Sequence, residues 1–298
     1  MDIEQINHIS LCTGYGGIDL GLKRAVCSLR TIAYCEIELF ACQNLVAKMQ
    51  AGLMDDAPIW TNLTTFPWQE FSGLVDILSG GFPCQPFSSA GAKAADKDPR
   101  HLFPFILEGI KRCRPAVVFL ENVEGILSAR LSGDNWRDAA GTSVLLHVLR
   151  ELERLGYRAE AGLFSAQECG GAPHLRKRVF IMAYANNQGL QGHWGSKQIR
   201  LQEGRKASEG CSAEGGKFEQ SRILWPSRPG EHQHEWEPPR TIKPKMGRGI
   251  AGDSNRLGDA ELFESYDNRE LELRMLGNGV MPIVAEKAFV NLFNKLNK

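Results

Sequence analysis

One cysteine stands in a setting that suits a nucleophile. Cys84 lies in GGFPCQPFSSAG, after the apolar run 75–78 and two glycines. Enzymes of the α/β class place reactive groups at the carboxyl ends of sheet strands, and Pro83 and Pro86 restrict the backbone on either side of the thiol. The small polar residues that follow are typical of a loop that moves over a bound substrate. A lone cysteine is ordinarily a buried small hydrophobe, but this setting favours a nucleophile.

A carboxylate follows a second apolar run. In RPAVVFLENVEGIL the apolar strand 116–120 ends in Glu121 and Asn122. Partial desolvation at a strand end should raise the pKa of the Glu121 carboxyl toward the range that is useful for acid catalysis. A structural acid that caps the next segment is the alternative.

A glycine-rich turn follows the first apolar run. HISLCTGYGGIDLGL puts Gly14, Gly16 and Gly17 between a strand and a helix, where glycines let the backbone approach a cofactor and present helix N–H groups. About twenty residues on, Glu36 ends the next apolar run, where an acid can accept both hydroxyls of a ribose. Together these features indicate a nucleoside-containing cofactor. The alternatives are an ordinary tight turn and, from this turn alone, a dehydrogenase.

The segments that must position these groups alternate between strand-like apolar runs and stretches with helical spacing. Nearly continuous apolar runs at 8–12, 31–35, 75–78, 116–120 and 179–183 predict strands buried on both faces. Helical spacing occupies 18–29, 39–50, 102–113 and 142–155, and RMLGNGVMPIVAEKAFVNLFNKL adds a glycine-rich turn and a terminal amphipathic helix. This alternation predicts a doubly wound, mostly parallel α/β sheet of Rossmann-like type.

Composition separates a second, smaller unit from this sheet. The 298 residues carry 35 basic and 35 acidic side chains, so the chain as a whole is not a basic nucleic-acid coat. Residues 186–250 lack a clear period and hold 11 Lys/Arg against 7 Glu. We expect a catalytic domain of residues 1–185 and 273–298, and a loop-rich target-recognition domain of residues 186–272.

The motifs together resemble the DNA (cytosine-5) methyltransferase family of bacterial or phage type. GGFPCQPFS, ENV, TGYGG, PHLRKRVFI and LGNGV are similar to five of its motifs in the family's order and spacing. The resemblance covers roughly residues 1–184 and 273–298. It implies transfer of a methyl group from S-adenosyl-L-methionine to C5 of a flipped cytosine in a specific duplex sequence, leaving S-adenosyl-L-homocysteine.

The resemblance also implies catalytic roles. Cys84 would add to C6 of the cytosine and turn the ring into an enamine whose C5 attacks the methyl group. Glu121 would hold or donate the proton at N3, and Asn122 would help to orient it. Arg176 and Arg178 would clamp the flipped nucleotide. Two more residues would contact the DNA backbone near the extruded base: Gln85 and Ser88.

For the cofactor, the resemblance implies four groups of residues. The methionine end and its turn would be held by Cys12, Thr13, Gly14, Gly16, Gly17 and Ile18. Glu36 would bind the ribose hydroxyls and Ile37 would cover the adenine, whose amino group would meet Asn62. The pocket would be lined by Leu63, Pro83 and Leu102, and closed from the far end of the chain by Asn278, Gly279 and Val280.

Several positions depart from the family pattern. Ser10 replaces a usual Asp before the glycine turn, and Cys12 replaces a common Phe, which weakens stacking over the cofactor. Asn62 stands for an Asp but retains a carbonyl acceptor, and His174 stands for a Gln. GDAELFESYDNREL at 258–271 reads as an extra segment before the last motif.

Two rival functions remain open. One is methylation of an RNA cytosine, although the Cys-Phe-Thr signature of the family's transfer-RNA branch is missing. The other is a DNA-binding regulator that has lost activity. The presence of Cys84, Glu121 and Arg176, the residues expected to carry catalysis, argues against it. We expect no metal site, because His232 and His234 lie in a low-order polar segment without companion cysteines. Eight scattered cysteines without a CxxC pair, and the lack of a signal peptide or apolar span, predict a cytoplasmic protein. The resemblance implies a monomer encoded by a bacterium or a phage, and leaves open whether it belongs to a restriction-modification system or acts alone.

Overall fold

A computed structural model describes residues 4–83, 102–131, 136–172, 174–185, 198–202 and 274–297, together with 232 and 271. Within these ranges the strands are β1 (Ile6–Leu11), β2 (Leu29–Cys35), β3 (Ile59–Trp60), β4 (Ile77–Gly81), β5 (Val117–Val123), β6 (Tyr157–Ser165) and β7 (Lys177–Ala185). The helices are α1 (Gly17–Ala25), α2 (Leu39–Gln50), α3 (Phe103–Cys113), α4 (Val144–Arg154), α5 (Ala166–Gly170) and α6 (Pro282–Leu296).

The seven strands form one sheet in the order β3-β2-β1-β4-β5-β7-β6. The pairs from β3 to β5 are parallel, whereas β7 runs antiparallel to both β5 and β6. The predicted doubly wound, mostly parallel α/β sheet is therefore confirmed. Two of these strands were not predicted: β3 has only two residues, and β6 is only partly buried over its middle positions, without a continuous apolar run.

Successive residues of the central strands pack on opposite faces of the sheet. In β5, Val117 and Phe119 face a layer that contains α1, α5 and α6, whereas Val118 and Leu120 face a layer that contains α3 and α4. Burial on both faces is why these strands read as unbroken apolar runs. The strand does not end at Glu121, as the apolar run indicated, but continues through Glu121 and Asn122 to Val123.

The terminal helix α6 completes one of the two layers. Its Phe289 packs edge-on against Phe119 of β5, with ring centroids 5.2 Å apart. Gly21 in α1 lets the two helices approach, because a Cβ there would lie 2.6 Å from the Pro282 carbonyl oxygen and 2.7 Å from the Ala285 Cβ. Residues near position 280 are thereby brought next to the glycine turn before α1.

A short part of the expected target-recognition segment lies against the sheet domain. Leu201 forms an antiparallel bridge with Val26, the Cys27 amide donates to the Arg200 carbonyl, and Ile199 is buried. Apart from residues 198–202, 232 and 271, the segment 186–272 lies outside the described residues, so the domain boundaries stay a prediction. No helix in the described parts of the chain is long and apolar enough to cross a bilayer.

The packing of α1 on α6 gives a prediction about stability. Gly21→Ala should lower the free energy of unfolding by about 2 kcal/mol, because overpacking against backbone lies at the upper end of roughly 1–3 kcal/mol and the gain in helix propensity offsets about 1 kcal/mol. Urea denaturation followed by circular dichroism measures the change. Gly125→Ala is the control, since the nearest atom to its Cβ would be Val123 Cγ2 at 3.8 Å. A Gly21→Ala protein as stable as the parent would contradict this account of the interface.

Candidate active site

The described ends of four parallel strands, which carry several of the predicted site residues, meet at the carboxyl edge of the sheet. Leu11 pairs with Cys35 and with Gly80, and Gly81 pairs with Glu121. The turn after β1, the end of β2, the exit of β4 and the end of β5 therefore lie side by side. This edge is the place where open α/β sheets bind their ligands.

The glycine turn is folded tightly over the end of β2. The Thr13 amide donates to the Cys35 carbonyl at 3.2 Å, and the Gly16 amide donates to the Thr13 carbonyl at 2.9 Å. Gly14 and Gly16 have φ values of 57° and 83°, which glycine adopts without strain. Among the described residues, no atom beyond the adjacent residues lies within 4 Å of the place where a Gly14 Cβ would stand, so the backbone there is open to a ligand.

Cys12 takes the left-handed conformation as well, with φ 48°. Its side chain packs against the core beside α3 and α4, and burial raises the pKa of its thiol. Ile18 is buried in the opposite layer at the start of α1. These two residues thus fix the base of the turn from both faces of the sheet.

Glu36 is oriented by backbone amides. Its Oε2 accepts from the Gly14 amide at 2.7 Å and its Oε1 from the Glu38 amide at 2.8 Å. A carboxylate offers about four lone-pair sites, so each oxygen can still accept from a hydroxyl. The neighbouring Ile37 side chain is 74% exposed. An exposed apolar side chain beside an oriented carboxylate suits a nucleoside, whose base would cover the isoleucine.

Asn62 forms hydrogen bonds within its own turn. Its Oδ1 accepts from both the amide and the hydroxyl of Thr64, at 3.0 and 2.8 Å, and so caps a short 3₁₀ turn. Leu63 and Leu102 pack into the core layer of α3, with Leu102 preceding that helix. Pro83 is exposed at the exit of β4. Binding of a cofactor by these four residues stays a prediction.

A buried acid and an arginine form the centre of the edge. Glu121 is 6% exposed, and its Oε1 lies 2.9 Å from Arg178 Nε, as an ion pair without hydrogen-bond alignment. Burial raises the pKa of Glu121 from 4.5 to about 7, although Arg178 and Arg176 both lower it. A carboxyl group that titrates near neutral pH can hold a proton or release it during a reaction.

Asn122 binds the segment that leads to the cysteine. Its Nδ2 donates to the Phe82 carbonyl at 2.9 Å, and its Oδ1 accepts from the Val123 amide at 2.9 Å. Phe82 stands two residues before Cys84 in the sequence. The predicted residues Cys84, Gln85 and Ser88 lie outside the described residues.

Arg176 contacts the far end of the chain. Its Nη2 donates to the Gly277 carbonyl at 2.8 Å and to that of Gly279. Asn278 is exposed between these two glycines, whereas Val280 is buried against the glycine turn. The structure therefore brings Gly279 and Val280 to the glycine turn, as the sequence indicates.

Sequence reasoning missed a buried polar group beneath the turn. Ser10 Oγ donates to Asp19 Oδ2 at 2.9 Å, and Thr13 Oγ1 donates to Ser10 Oγ at 3.1 Å. Burial raises the pKa of Asp19 to about 7 and lowers that of His8 to about 3, so His8, 3.7 Å from Asp19, is a neutral neighbour. The sequence did contain a signal for this group. Ser10 stands where the family usually has an Asp, and Asp19 of α1 supplies a carboxylate at the same place.

Fold and site define an α/β protein with an open glycine turn, an oriented carboxylate and a buried acid at one sheet edge. The family model for C-5 cytosine-specific DNA methylase matches residues 6–222. The chain belongs to this family.

Named relatives match the same region. The chain is 34% identical over 182 residues to the Type II methyltransferase M.NgoMIV of Neisseria gonorrhoeae, across 61% of this chain and 53% of the relative. It is 33% identical over 184 residues to M.AplI of Arthrospira platensis, across 61% and 47%. M.NaeI of Lentzea aerocolonigenes is 30% identical over 184 residues, across 62% and 41%. The chain spans about half the length of the curated relatives it matches.

The pKa of Glu121 gives a prediction about stability and pH. Because the folded-state pKa is raised from 4.5 to about 7, the contribution of Glu121 is complete below its unfolded value and is lost as pH rises through about 7. Relative to Glu121→Gln, the parent should lose roughly 3 kcal/mol between about pH 4 and about pH 8. Urea denaturation of both proteins across this range measures the difference. Asp19 titrates in both proteins, so its contribution cancels in the difference. A difference in unfolding free energy that does not change with pH would refute the raised pKa of Glu121.

Proposed function

We propose that the protein is a DNA cytosine-5 methyltransferase that uses S-adenosyl-L-methionine and reacts through Cys84. The observation that carries the proposal is the buried Glu121–Arg178 pair at the exit of β4, the strand that leads to Pro83 and Cys84. The open glycine turn and Glu36 lie on the same edge. An acid, a cysteine-bearing loop and a cofactor cradle at one edge are what this reaction requires.

The residues present fit the cofactor. Glu36, already oriented by two amides, would accept from the ribose hydroxyls, and the exposed Ile37 would lie under the adenine. The backbone of residues 12–18 would hold the methionine end, where Gly14 leaves open space. Asn278, Gly279 and Val280 would complete the pocket from the terminal turn. The cofactor, once bound, supplies an electrophilic methyl group.

Asn62 would meet the adenine amino group at the edge of this pocket. Since its Oδ1 already accepts two hydrogen bonds from Thr64, the amide would have to release one of them to accept from the base. Leu63, Leu102 and Pro83 would supply apolar surface around it.

The catalytic residues share the chemistry at the cytosine ring. The thiolate of Cys84 adds to C6, and the electrons of the C5–C6 bond make C5 nucleophilic. Glu121, with a pKa of about 7, holds the proton at N3 and so limits the negative charge that builds on the ring. After methylation, loss of the C5 proton and departure of the sulfur restore the aromatic ring and the free thiolate.

Two further side chains support these groups. Arg178 contacts Glu121 and keeps its pKa from rising further, and by resemblance it would also contact the flipped nucleotide. Asn122 fixes the Phe82 carbonyl and with it the start of the cysteine loop.

The substrate would be double-stranded DNA. A cytosine inside a stacked duplex cannot reach a buried edge, so the base has to flip out. Gln85 and Ser88 would contact the backbone near the extruded base. Residues 186–272, whose part 186–250 holds 11 Lys/Arg against 7 Glu, would contact phosphates and read base edges in the groove. We further propose a monomer without a metal, acting in the cytoplasm of a bacterial cell or a phage host within a restriction-modification system.

Labelled methyl transfer tests the proposal. The parent protein should transfer tritiated methyl groups from S-adenosyl-L-methionine to a varied pool of duplex DNA, and Cys84→Ser should abolish transfer because the serine hydroxyl is not ionised at neutral pH. Bisulfite sequencing of DNA from expressing cells would show the modified position and its sequence context.

The matched control is Cys27→Ser, since Cys27 lies between α1 and β2 at the opposite edge of the sheet and should leave transfer intact. Labelling of RNA but not of DNA would replace the proposal with RNA methylation. Tight DNA binding without transfer would replace it with an inactive regulator.

A further inference from the structure

The turn before α6 is held by a tyrosine from the glycine turn. The Tyr15 hydroxyl donates to the Val280 carbonyl, and its ring lies so close to Gly279 that a Cβ at position 279 would collide with it. Lys48 fixes the tyrosine in turn, donating to its carbonyl and standing 5.0 Å from the ring centroid. Tyr15 thus fits one conformation of the terminal turn, with glycine at position 279.

Arg176 holds the same turn from the side of β7. One nitrogen, Nη2, faces three carbonyls of the turn, those of Leu276, Gly277 and Gly279. Backbone carbonyls are acceptors that a guanidinium, with five N–H donors and no acceptor, satisfies well. Burial and the nearby Arg178 both lower the pKa of Arg176 from its usual value. The hydrogen bonds to the carbonyls therefore stabilise a guanidinium charge that its surroundings disfavour.

These contacts decide where the two turns of the cofactor site meet. A Cβ at position 17 would collide with the Val280 carbonyl oxygen, so the backbones of the glycine turn and the terminal turn touch directly. A small displacement of residues 277–280 would therefore change the shape of the space beside Gly14. Tyr15 and Arg176 are the side chains that join the terminal turn to the glycine turn and to the start of β7.

We propose that Tyr15 and Arg176 are positioning residues that fix the terminal turn, residues 277–280, against the glycine turn and thereby set affinity for the cofactor. The identity of that cofactor rests on the proposed function. The proposal separates the two arginines of the basic motif: Arg178 acts on Glu121, and Arg176 acts on the cofactor site instead of clamping the flipped nucleotide.

The first measurement needs neither cofactor nor activity. Hydrogen–deuterium exchange of a peptide covering residues 275–283 should be about tenfold faster in Tyr15→Phe and in Arg176→Gln than in the parent, since each variant loses a hydrogen bond worth about a factor of ten. Arg176→Lys, which keeps a cationic donor, should restore part of the protection. Unchanged exchange in both variants would overturn the proposal.

The second measurement is calorimetric binding of S-adenosyl-L-homocysteine. Tyr15→Phe and Arg176→Gln should raise its Kd about tenfold, and KM for S-adenosyl-L-methionine should rise more than kcat falls. If Arg176→Gln instead raises only KM for DNA and leaves the Kd of S-adenosyl-L-homocysteine unchanged, Arg176 is a nucleotide clamp and the proposal is wrong.

Tyr157→Phe is the matched control. It also removes a tyrosine hydroxyl bond to a backbone carbonyl, that of Pro115 at 2.8 Å, but at the start of β6 on the opposite edge of the sheet. It should alter neither the exchange of residues 275–283 nor the Kd. Failure of the parent protein to bind either cofactor form would refute the proposed function, whereas the exchange data would still decide whether Tyr15 and Arg176 hold the turn.

Discussion

Backbone pairing between four parallel strands determines where the glycine turn, Glu36 and Glu121 lie. Because β2, β1, β4 and β5 run in one direction, the turn after β1, Glu36, the exit of β4 and Glu121 share an edge without any side chain having to bring them together. Close packing enforces the register: a Cβ at Gly80 would lie 2.9 Å from the Leu11 carbonyl oxygen. A slip of one residue would turn Glu121 to the other face, away from Arg178.

The reversed direction of β7 is equally important for the chemistry. An antiparallel strand begins at the edge where its parallel neighbours end, so Arg178 pairs with Val123 and its side chain reaches Glu121. In a parallel strand the same basic motif would stand at the opposite edge. The arginine limits the rise in the pKa of Glu121 that burial causes, and the two opposing effects leave that pKa at about 7.

Sequence patterns within single segments predicted the central strands and the residues at their ends. Runs buried on both faces revealed five strands, and the glycines and the acid at their ends indicated the cofactor edge. An apolar run looks the same whichever way its strand runs, so the direction of β7 was not predictable from its residues. Tyr15 and Val280 are 265 positions apart, and no local period reports such a contact. Asn62 caps its own turn, a role that is typical of asparagine, whereas the family motif assigned it to the adenine.

The terminal turn links completion of the fold to formation of the site. Residues 277–280 run directly into α6, whose Phe289 and Ala285 pack on β5 and α1. The glycine turn runs likewise into α1. A ligand held between the two turns would therefore bind only when α1 and α6 are packed, and such a ligand stabilises the folded state by RT ln(1 + [L]/Kd). Contacts that hold the turn in place before binding reduce the ordering cost that the ligand has to meet. By holding the turn, as proposed, Tyr15 and Arg176 would lower the Kd of such a ligand, and a lower Kd would increase the stabilisation that the bound ligand gives to the domain.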